Sequence, residues 1–275
     1  MKKLYAYTEK GTGKFNEDAV GLAENIAWVI DGATSIFPTS YLSHEKNDIV
    51  WIVEQVEKWF PTFIDHALSL EEILKKTMEQ VREEALKTNP HIREAKGYEL
   101  PTFTVVLLRQ IEDKLEYFIL GDSGLMIESE NTIKHLTDTR LEEFNDRNKK
   151  AFDELKGNYK LDDPKVLKVL QNQRKLLNTE EGYWIGSIDG RGISHGIKGE
   201  MKLNKKTRVL CFSDGFSRIF DLFHVIDIDD FSLDVDFVKD TIQQIRTIEK
   251  DDSECTTYPR PKKSDDLSVI LLEMT

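Results

Sequence analysis

The sequence predicts an α+β fold whose strands are buried on both faces. Three segments, residues 102–109, 115–120 and 267–272, alternate imperfectly and carry apolar residues on both faces. An antiparallel strand with one face in water should alternate cleanly, so these strands are expected to lie between two other layers. Two amphipathic helices predicted within residues 40–88 would supply one of those layers.

The two helices are predicted from helical spacing and from their end signals. The first carries apolar residues on one face, at Ile49, Ile52, Val53 and Val56. Pro61 then supplies a stop. Ser69 and Glu72 have the spacing of a capping box, and an apolar stripe follows them. That stripe is expected to be core rather than a binding groove.

Acidic residues recur where predicted apolar strands begin or end. The five places are Asn16-Glu17-Asp18, Asp31-Gly32, Gly121-Asp122-Ser123, Ser213-Asp214-Gly215 and Asp265-Asp266. Asp-Gly alone is common in ordinary turns, so the repetition is what indicates a site. If the strands lie side by side, the acids converge and repel one another unless cations neutralise them. Ligands that are all oxygen favour Mg²⁺ or Mn²⁺ over Zn²⁺.

In this order, the five motifs resemble those of the PPM-type phosphatases, the type 2C metal-dependent protein serine/threonine phosphatases. The resemblance extends from residue 16 to residue 270. It implies a four-layer helix–sheet–sheet–helix sandwich with two antiparallel β-sheets, and a single domain formed by residues 1–275. The compact length looks more like the bacterial branch of the family.

The resemblance also implies a reaction and the residues that carry it. Asp31 resembles a ligand that bridges two metal ions, and the Gly32 carbonyl resembles a ligand of one of them. Asp214 and Asp265 resemble the ligands of the other ion. With Asp31, Asp214 and Asp265 as catalytic residues, the implied activity is hydrolysis of phosphoserine or phosphothreonine in proteins by a metal-bridging hydroxide.

The remaining ligand assignments also follow from the resemblance. Asp122 resembles the ligand of a third, looser ion, so two or three Mn²⁺ or Mg²⁺ ions are expected. Arg218 stands where many relatives carry an acid near that third site. Asp18, with Glu17 as second choice, is expected to complete the site through metal or water. Asp266 fills a place that Asn often holds.

Two positions depart from the family pattern. Gly13 replaces the arginine that binds the substrate phosphate, and Lys14 is the candidate phosphate ligand, or else a solvated loop lysine. Ala33 replaces a histidine credited with protonating the leaving oxygen, which leaves water or His44 to do so. An alternative function is therefore a catalytically weak or inactive phosphatase-fold module that binds a regulatory partner.

Residues 137–182 are heavily charged and form a predicted insertion. A helix is expected after the start signal Asp163-Pro164, with Val166 and Leu170 on one face. In the resembled family, a variable region near the site, often with a mobile flap, lies between the corresponding motifs. The insertion is the candidate for choosing substrates or partners, and a solvated helical segment is an equal alternative.

Composition narrows the expected partners. A net charge of −12 argues against nucleic acid or an anionic membrane as the main partner. No apolar run approaches the roughly 18 residues needed to cross a bilayer, and the first residues lack a signal-peptide core. The two cysteines, Cys211 and Cys255, fit a reducing cytoplasm better than a disulfide framework. We therefore expect a cytoplasmic protein acting on phosphorylated proteins; the sequence does not indicate an oligomeric state.

Overall fold

The structure, a computed structural model, describes residues 1–129, 132–140, 144, 163–203 and 207–275. The strands within these ranges are β1 (Lys2–Glu9), β2 (Asp18–Ala23), β3 (Ile26–Ala33), β4 (Thr102–Ile111), β5 (Lys114–Leu120), β6 (Gly124–Ser129), β7 (Thr132–Leu136), β8 (Gly186–Ser187), β9 (Ile197–Lys202), β10 (Arg208–Phe212) and β11 (Leu267–Glu273). The α-helices described are α1 (Asp48–Trp59), α2 (Leu70–Thr88), α3 (Pro164–Arg174), α4 (Asp214–Asp221) and α5 (Val235–Asp251).

The strands form two sheets, and every pair of neighbouring strands is antiparallel. The first sheet has the order β1-β11-β10-β6-β7. The second has the order β2-β3-β4-β5-β9, and β8 pairs with β4 beside it. The predicted α+β fold with two antiparallel sheets is confirmed.

Three apolar clusters separate four layers. The cluster between the two sheets includes Val29 and Val106 from the second sheet and Ile270 from the first. A second cluster packs α1 and α2 onto the outer face of the second sheet, and a third packs α4 and α5 onto the outer face of the first. The order of layers is therefore helix, sheet, sheet, helix, as the resemblance implied.

Strand β4 shows why the central strands lack clean alternation. Val105 and Leu107 face the cluster under the helices, whereas Val106 and Leu108 face the cluster between the sheets. All four side chains are almost fully buried. Because both faces of the strand are covered, apolar residues are favoured on both faces.

The helix ends follow their sequence signals. The Ser69 hydroxyl accepts a hydrogen bond from the Glu72 N–H at 3.3 Å, and the Glu72 carboxylate accepts one from the Ser69 N–H at 2.8 Å. The predicted capping box is thus present at the start of α2. Asp163 caps α3 with its carboxylate alone, accepting from the Lys165 N–H at 2.8 Å.

The predicted insertion at 137–182 is only partly described. Within it, residues 141–143 and 145–162 lie outside the described residues. Its described portion includes α3, which begins at Pro164 as the sequence predicts. Across the described part of the chain, no helix is both long and apolar enough to span a bilayer.

Candidate metal centre

Asp18 and Asp31 face each other on neighbouring strands. The register of β2 and β3 pairs these two residues directly. Strand β3 continues through Gly32 to Ala33, so Asp31 lies near the end of the strand and not in a turn beyond it. The Gly32 N–H donates to the Glu17 carbonyl at 3.0 Å, and a Cβ at Gly32 would lie only 2.6 Å from that oxygen. Glycine is therefore needed here for close approach of the two chain segments.

The other acids arrive from the ends of neighbouring strands. Asp122 lies between β5 and β6, Asp214 begins α4 directly after β10, and Asp265 precedes β11. The Asp214 N–H is 3.4 Å from Asp31 Oδ2, which brings the acids of the two sheets together at one edge. The predicted convergence is thus seen for Asp31 and Asp214.

Burial and mutual repulsion raise the pKa of four of these carboxyls. The pKa values of Asp18 and Asp31 lie well above their ordinary range, first because of burial and then because of the neighbouring carboxylates. Burial and the charge of Asp214 raise the pKa of Asp122 to about 7. Burial and the charge of Asp265 raise that of Asp214 to about 6. Such shifts are those of acids crowded without enough positive charge.

Asp18 gives the most direct indication of a missing positive partner. The residue is 8% exposed, and neither carboxylate oxygen accepts a hydrogen bond. The nearby hydroxyls of Ser213 and Ser268 lower the pKa of Asp18, although neither is placed to form a hydrogen bond with its oxygens. Buried carboxylates are normally paired or bound to a metal, so this side chain fits a ligand of a hard cation. We call Asp18 and Asp31 the Asp18–Asp31 side of the cluster.

Asp265 has the opposite surroundings. Arg218 Nη2 lies 2.5 Å from Asp265 Oδ2, and Lys262 Nζ lies 2.6 Å from Asp265 Oδ1. Burial alone would raise the pKa of Asp265, but the charges of Arg218 and Lys262 outweigh burial and lower it. We call Asp265, Arg218, Lys262 and the Arg218 partner Glu249 the Asp265 side.

Glu17 is held by two side chains that sequence reasoning did not single out. The Thr34 hydroxyl donates to Glu17 Oε2 at 2.7 Å, and the Asn47 amide donates to Glu17 Oε1 at 2.5 Å. Asn47 also caps α1 by accepting from the Val50 N–H at 2.8 Å. Burial raises the pKa of Glu17 despite these bonds. The Asn47 signal, a polar residue directly before an amphipathic helix, was present in the sequence.

Asp266 fastens two loop segments. Its Oδ1 accepts from the Gly11 N–H and its Oδ2 from the Glu17 N–H, each at 2.7 Å. A carboxylate can accept on both oxygens, whereas an asparagine would offer only one acceptor. The Asp at this position therefore positions the segment that carries Glu17 and Asp18.

Lys14, the predicted phosphate ligand, is exposed. Its Nζ lies 4.8 Å from the centre of the Phe15 ring. A second lysine, Lys262, contacts Asp265 and lowers the pKa of Glu17 and Asp214 through its charge. The role of Lys14 stays a prediction, and Lys262 is a cation of the cluster that the sequence did not reveal.

A cleft of about 340 Å³ adjoins this edge of the protein. The exposed His44 lies in its wall, together with Asn47 and Arg174. Arg174, at the end of α3, donates to the backbone carbonyls of Ala33 at 2.9 Å and Thr34 at 2.8 Å. The insertion therefore contacts the segment that directly follows Asp31 and Gly32.

The acids do not form a ready-made coordination shell. Within the described ranges, no three His, Cys, Asp or Glu side chains are grouped as a metal would hold them. The uncompensated carboxylates repel one another, and the two cations Arg218 and Lys262 hold Asp265. The Asp18–Asp31 side nevertheless fits a cation, because both buried oxygens of Asp18 lack hydrogen-bond partners.

Comparison with known proteins identifies the family. The family model described as Protein phosphatase 2C matches residues 8–257, and the chain belongs to this family. The resemblance inferred from the five motifs is thereby confirmed. No curated protein matches the sequence.

Solved structures of bacterial phosphatases share the fold. The serine/threonine phosphatase PstP/Ppp of Mycobacterium tuberculosis is 13% identical, with a TM-score of 0.59 over 98% of this chain and 97% of that one. Stp1 of Staphylococcus aureus is 14% identical, with a TM-score of 0.59 over 100% and 96%. The PstP catalytic domain in complex with two manganese ions is 13% identical, with a TM-score of 0.54 over 97% and 95%. At such identities the likeness shows the fold.

Proposed function

We propose that this protein is a Mn²⁺- or Mg²⁺-dependent phosphatase that hydrolyses phosphoserine or phosphothreonine in other proteins. The observation that carries the proposal is the crowding of the Asp18 and Asp31 carboxylates, which raises both pKa values, together with the lack of any hydrogen-bond partner on the buried Asp18 oxygens. A pair of this kind is costly unless a cation binds there. Membership of the protein phosphatase 2C family and the manganese ions of the PstP structure support the same reading.

The proposed ligands are divided between the two sheets. Asp18, Asp31 and the Gly32 carbonyl would hold an ion from the second sheet, and Asp122 and Asp214 would approach from the strand ends opposite. When bound, such ions would lower the pKa of a water, so that it could lose a proton and attack phosphorus near neutral pH. They would also neutralise the charge on the phosphoryl oxygens. Asp265, which the family resemblance also makes a ligand, already has a cation on each oxygen.

The chain's own residues would orient the substrate and determine where the leaving oxygen obtains its proton. Lys262 is a quarter exposed and presents positive charge beside the acids, where a phosphate would approach. Ala33 offers no proton for the leaving oxygen, so water is the proposed donor, with His44 in the cleft wall as the side-chain candidate.

We also propose the setting in which the activity operates. Residues 1–275 would act as a single domain, and the insertion at 137–182 would help to choose the phosphoprotein substrate through its contact with Ala33 and Thr34. A cytoplasmic location is supported by the low cysteine content, since the chain has two cysteines and both are free thiols.

The test is hydrolysis of p-nitrophenyl phosphate and of a phosphothreonine peptide, with Mn²⁺ or with EDTA. We expect Mn²⁺-dependent turnover in the wild type and a loss of at least about 10³-fold in Asp31→Asn, equivalent to about 4 kcal/mol in the barrier. Asp229→Asn, an exposed acid elsewhere, is the control and should retain wild-type rates.

The same assay distinguishes the alternative function. A folded protein that binds Mn²⁺ but turns over neither substrate would favour the inactive, partner-binding module. The losses at Gly13 and Ala33, together with the cations on Asp265, would then account for the missing activity.

A further inference from the structure

We propose that Arg218 and Lys262 are permanent internal counter-ions of Asp265, so that the chain binds divalent ions only through the remaining acids and holds one ion fewer than a site that also used Asp265. This inference rests on the proposed metal-dependent function, because it concerns how many ions that site takes. It goes further by naming two side chains that replace an ion.

Each carboxylate oxygen of Asp265 contacts a cation. Arg218 Nη2 donates to Asp265 Oδ2 at 2.5 Å, and Lys262 Nζ donates to Asp265 Oδ1 at 2.6 Å. Each carboxylate oxygen therefore already has a charged donor at hydrogen-bond distance. To bind a metal ion, Asp265 would have to give up at least one of these partners.

Arg218 is held in place by a second, buried ion pair. Its side chain is 11% exposed, and its other arm donates to Glu249 Oε1 at 2.9 Å. The Glu249 side chain is 0% exposed, and its second oxygen is 2.7 Å from Arg246 Nη1. If the guanidinium turned away, Glu249 would lose one of its two cations in the core, and a buried charge without its partner is strongly unfavourable.

The same network of ion pairs also holds the backbone at Asp265. Arg246 Nη1 also donates to the Asp265 carbonyl at 2.9 Å, and Arg246 Nε lies 3.0 Å from Glu9 Oε2. Helix α5, which carries Arg246 and Glu249, is thereby tied both to the main chain and to the side-chain partner of Asp265. The position of this carboxylate is set by contacts within the protein.

The other acids of the cluster differ from Asp265 in their ion pairs. Among the described residues, no lysine or arginine forms an ion pair with Asp18, Asp31, Asp122 or Asp214. Asp18 has no hydrogen-bond partner on either oxygen, although it is almost fully buried. The positive charge supplied by the protein is therefore concentrated on Asp265, and the demand for external charge lies with the other acids.

The experiment counts ions. Purified full-length protein is stripped with EDTA, dialysed against graded Mn²⁺, and assayed for bound metal per chain by elemental analysis. Electron paramagnetic resonance distinguishes an isolated Mn²⁺ from a coupled pair. We expect one tightly bound, isolated Mn²⁺ per wild-type chain.

Two variants release Asp265 in different ways. Lys262→Met removes the partly exposed cation with little change in volume, and should raise the affinity for an additional Mn²⁺ at least tenfold. The double variant Arg218→Leu with Glu249→Leu removes both buried charges together, so that neither is left alone in the core. It should bind a second Mn²⁺ and show a coupled signal. Lys263→Met, an exposed neighbour, is the control and should bind as the wild type does.

Three results would overturn the inference: a coupled pair of tightly bound Mn²⁺ ions in the wild type, unchanged binding in both variants that release Asp265, or binding of no Mn²⁺ at all. Turnover is measured on the same samples. Turnover with two bound ions would support the proposed function and contradict this inference. One bound ion without turnover would support this inference and contradict the proposed phosphatase activity.

Discussion

The Asp18–Asp31 side and the Asp265 side carry the same chemical group in opposite states. Asp18 has no partner and a raised pKa, whereas Asp265 has two cations and a lowered pKa. Asp18 is the first residue of the apolar strand β2, and Asp265 lies just before the apolar strand β11. Their place in the sequence pattern is thus similar, and the difference comes from which other elements reach each carboxylate.

A carboxylate's position and its charge balance are therefore separate properties. Strand register places Asp18 against Asp31, two acids with no base between them. Helix α4 instead places Arg218 one turn after Asp214, where it reaches Asp265. An acid-rich edge can therefore be partly neutralised from within, and only the remainder calls for an ion.

Removal of the charge on Asp265 is expected to have the largest effect on stability. Asp265→Asn leaves Arg218 and Lys262 without their partner, so we expect the metal-free protein to lose about 3 kcal/mol of unfolding free energy. Urea unfolding in EDTA measures this loss. Asp229→Asn should change stability by less than about 0.5 kcal/mol. A neutral effect of Asp265→Asn would mean that the ion pairs contribute nothing.

Addition of Mn²⁺ tests the other side. At a concentration of about 100 times the dissociation constant, one bound ion should raise the unfolding free energy by about 2.7 kcal/mol. Asp18→Asn removes a proposed ligand and should abolish most of that gain. Thermal unfolding with and without Mn²⁺ provides the measurement. An equal gain in the variant would exclude Asp18 as a ligand.

The pH dependence of the metal-free protein should also follow the uncompensated acids. The pKa of Asp214 is raised to about 6 and that of Asp122 to about 7 in the folded chain. The folded state then binds more protons than the unfolded state at intermediate pH, so stability falls as pH rises through these values. We expect the unfolding free energy measured in EDTA to fall steadily between about pH 4 and pH 8. Mn²⁺ should remove this slope, and a flat profile in EDTA would contradict the raised pKa values.

The smallest expected effect is a gain in stability from Asp31→Asn. Removing one charge from the uncompensated pair relieves repulsion, so the metal-free variant should be more stable than wild type by about 1 kcal/mol at neutral pH. This is opposite in sign to the effect of Asp265→Asn. Urea unfolding of the two variants side by side in EDTA decides the matter: losses of similar size would show that the two sides do not differ.

Much of the fold could be predicted because it depends on local patterns. The apolar strands, the Ser69 capping box and the Asp163 cap all appear where the sequence places them. The family motifs then supplied the layer order. One detail differed: β3 runs on through Gly32, since backbone pairing with β4 continues to Ala33.

The charge balance of the site could not be predicted in the same way. Arg218 and Asp265 are 47 residues apart, and their contact depends on how α4 meets the start of β11. Asp266 likewise reaches back 255 residues to the Gly11 N–H. Such pairs follow from tertiary packing, and no local spacing distinguishes Arg218 from an ordinary helix-surface arginine.

Strand β11 has a consequence for the order in which the protein can be assembled during synthesis. It lies between β1 and β10, with Lys2 opposite Glu273 and Phe212 opposite Val269. Because residues emerge from the ribosome in sequence order, β1 and β10 must wait for β11 with open edges. Asp265 and Asp266 emerge just ahead of that strand. The nascent chain would therefore complete its first sheet and form the ion pair between Asp265 and Arg218 in one late event, after the other acids have been synthesised.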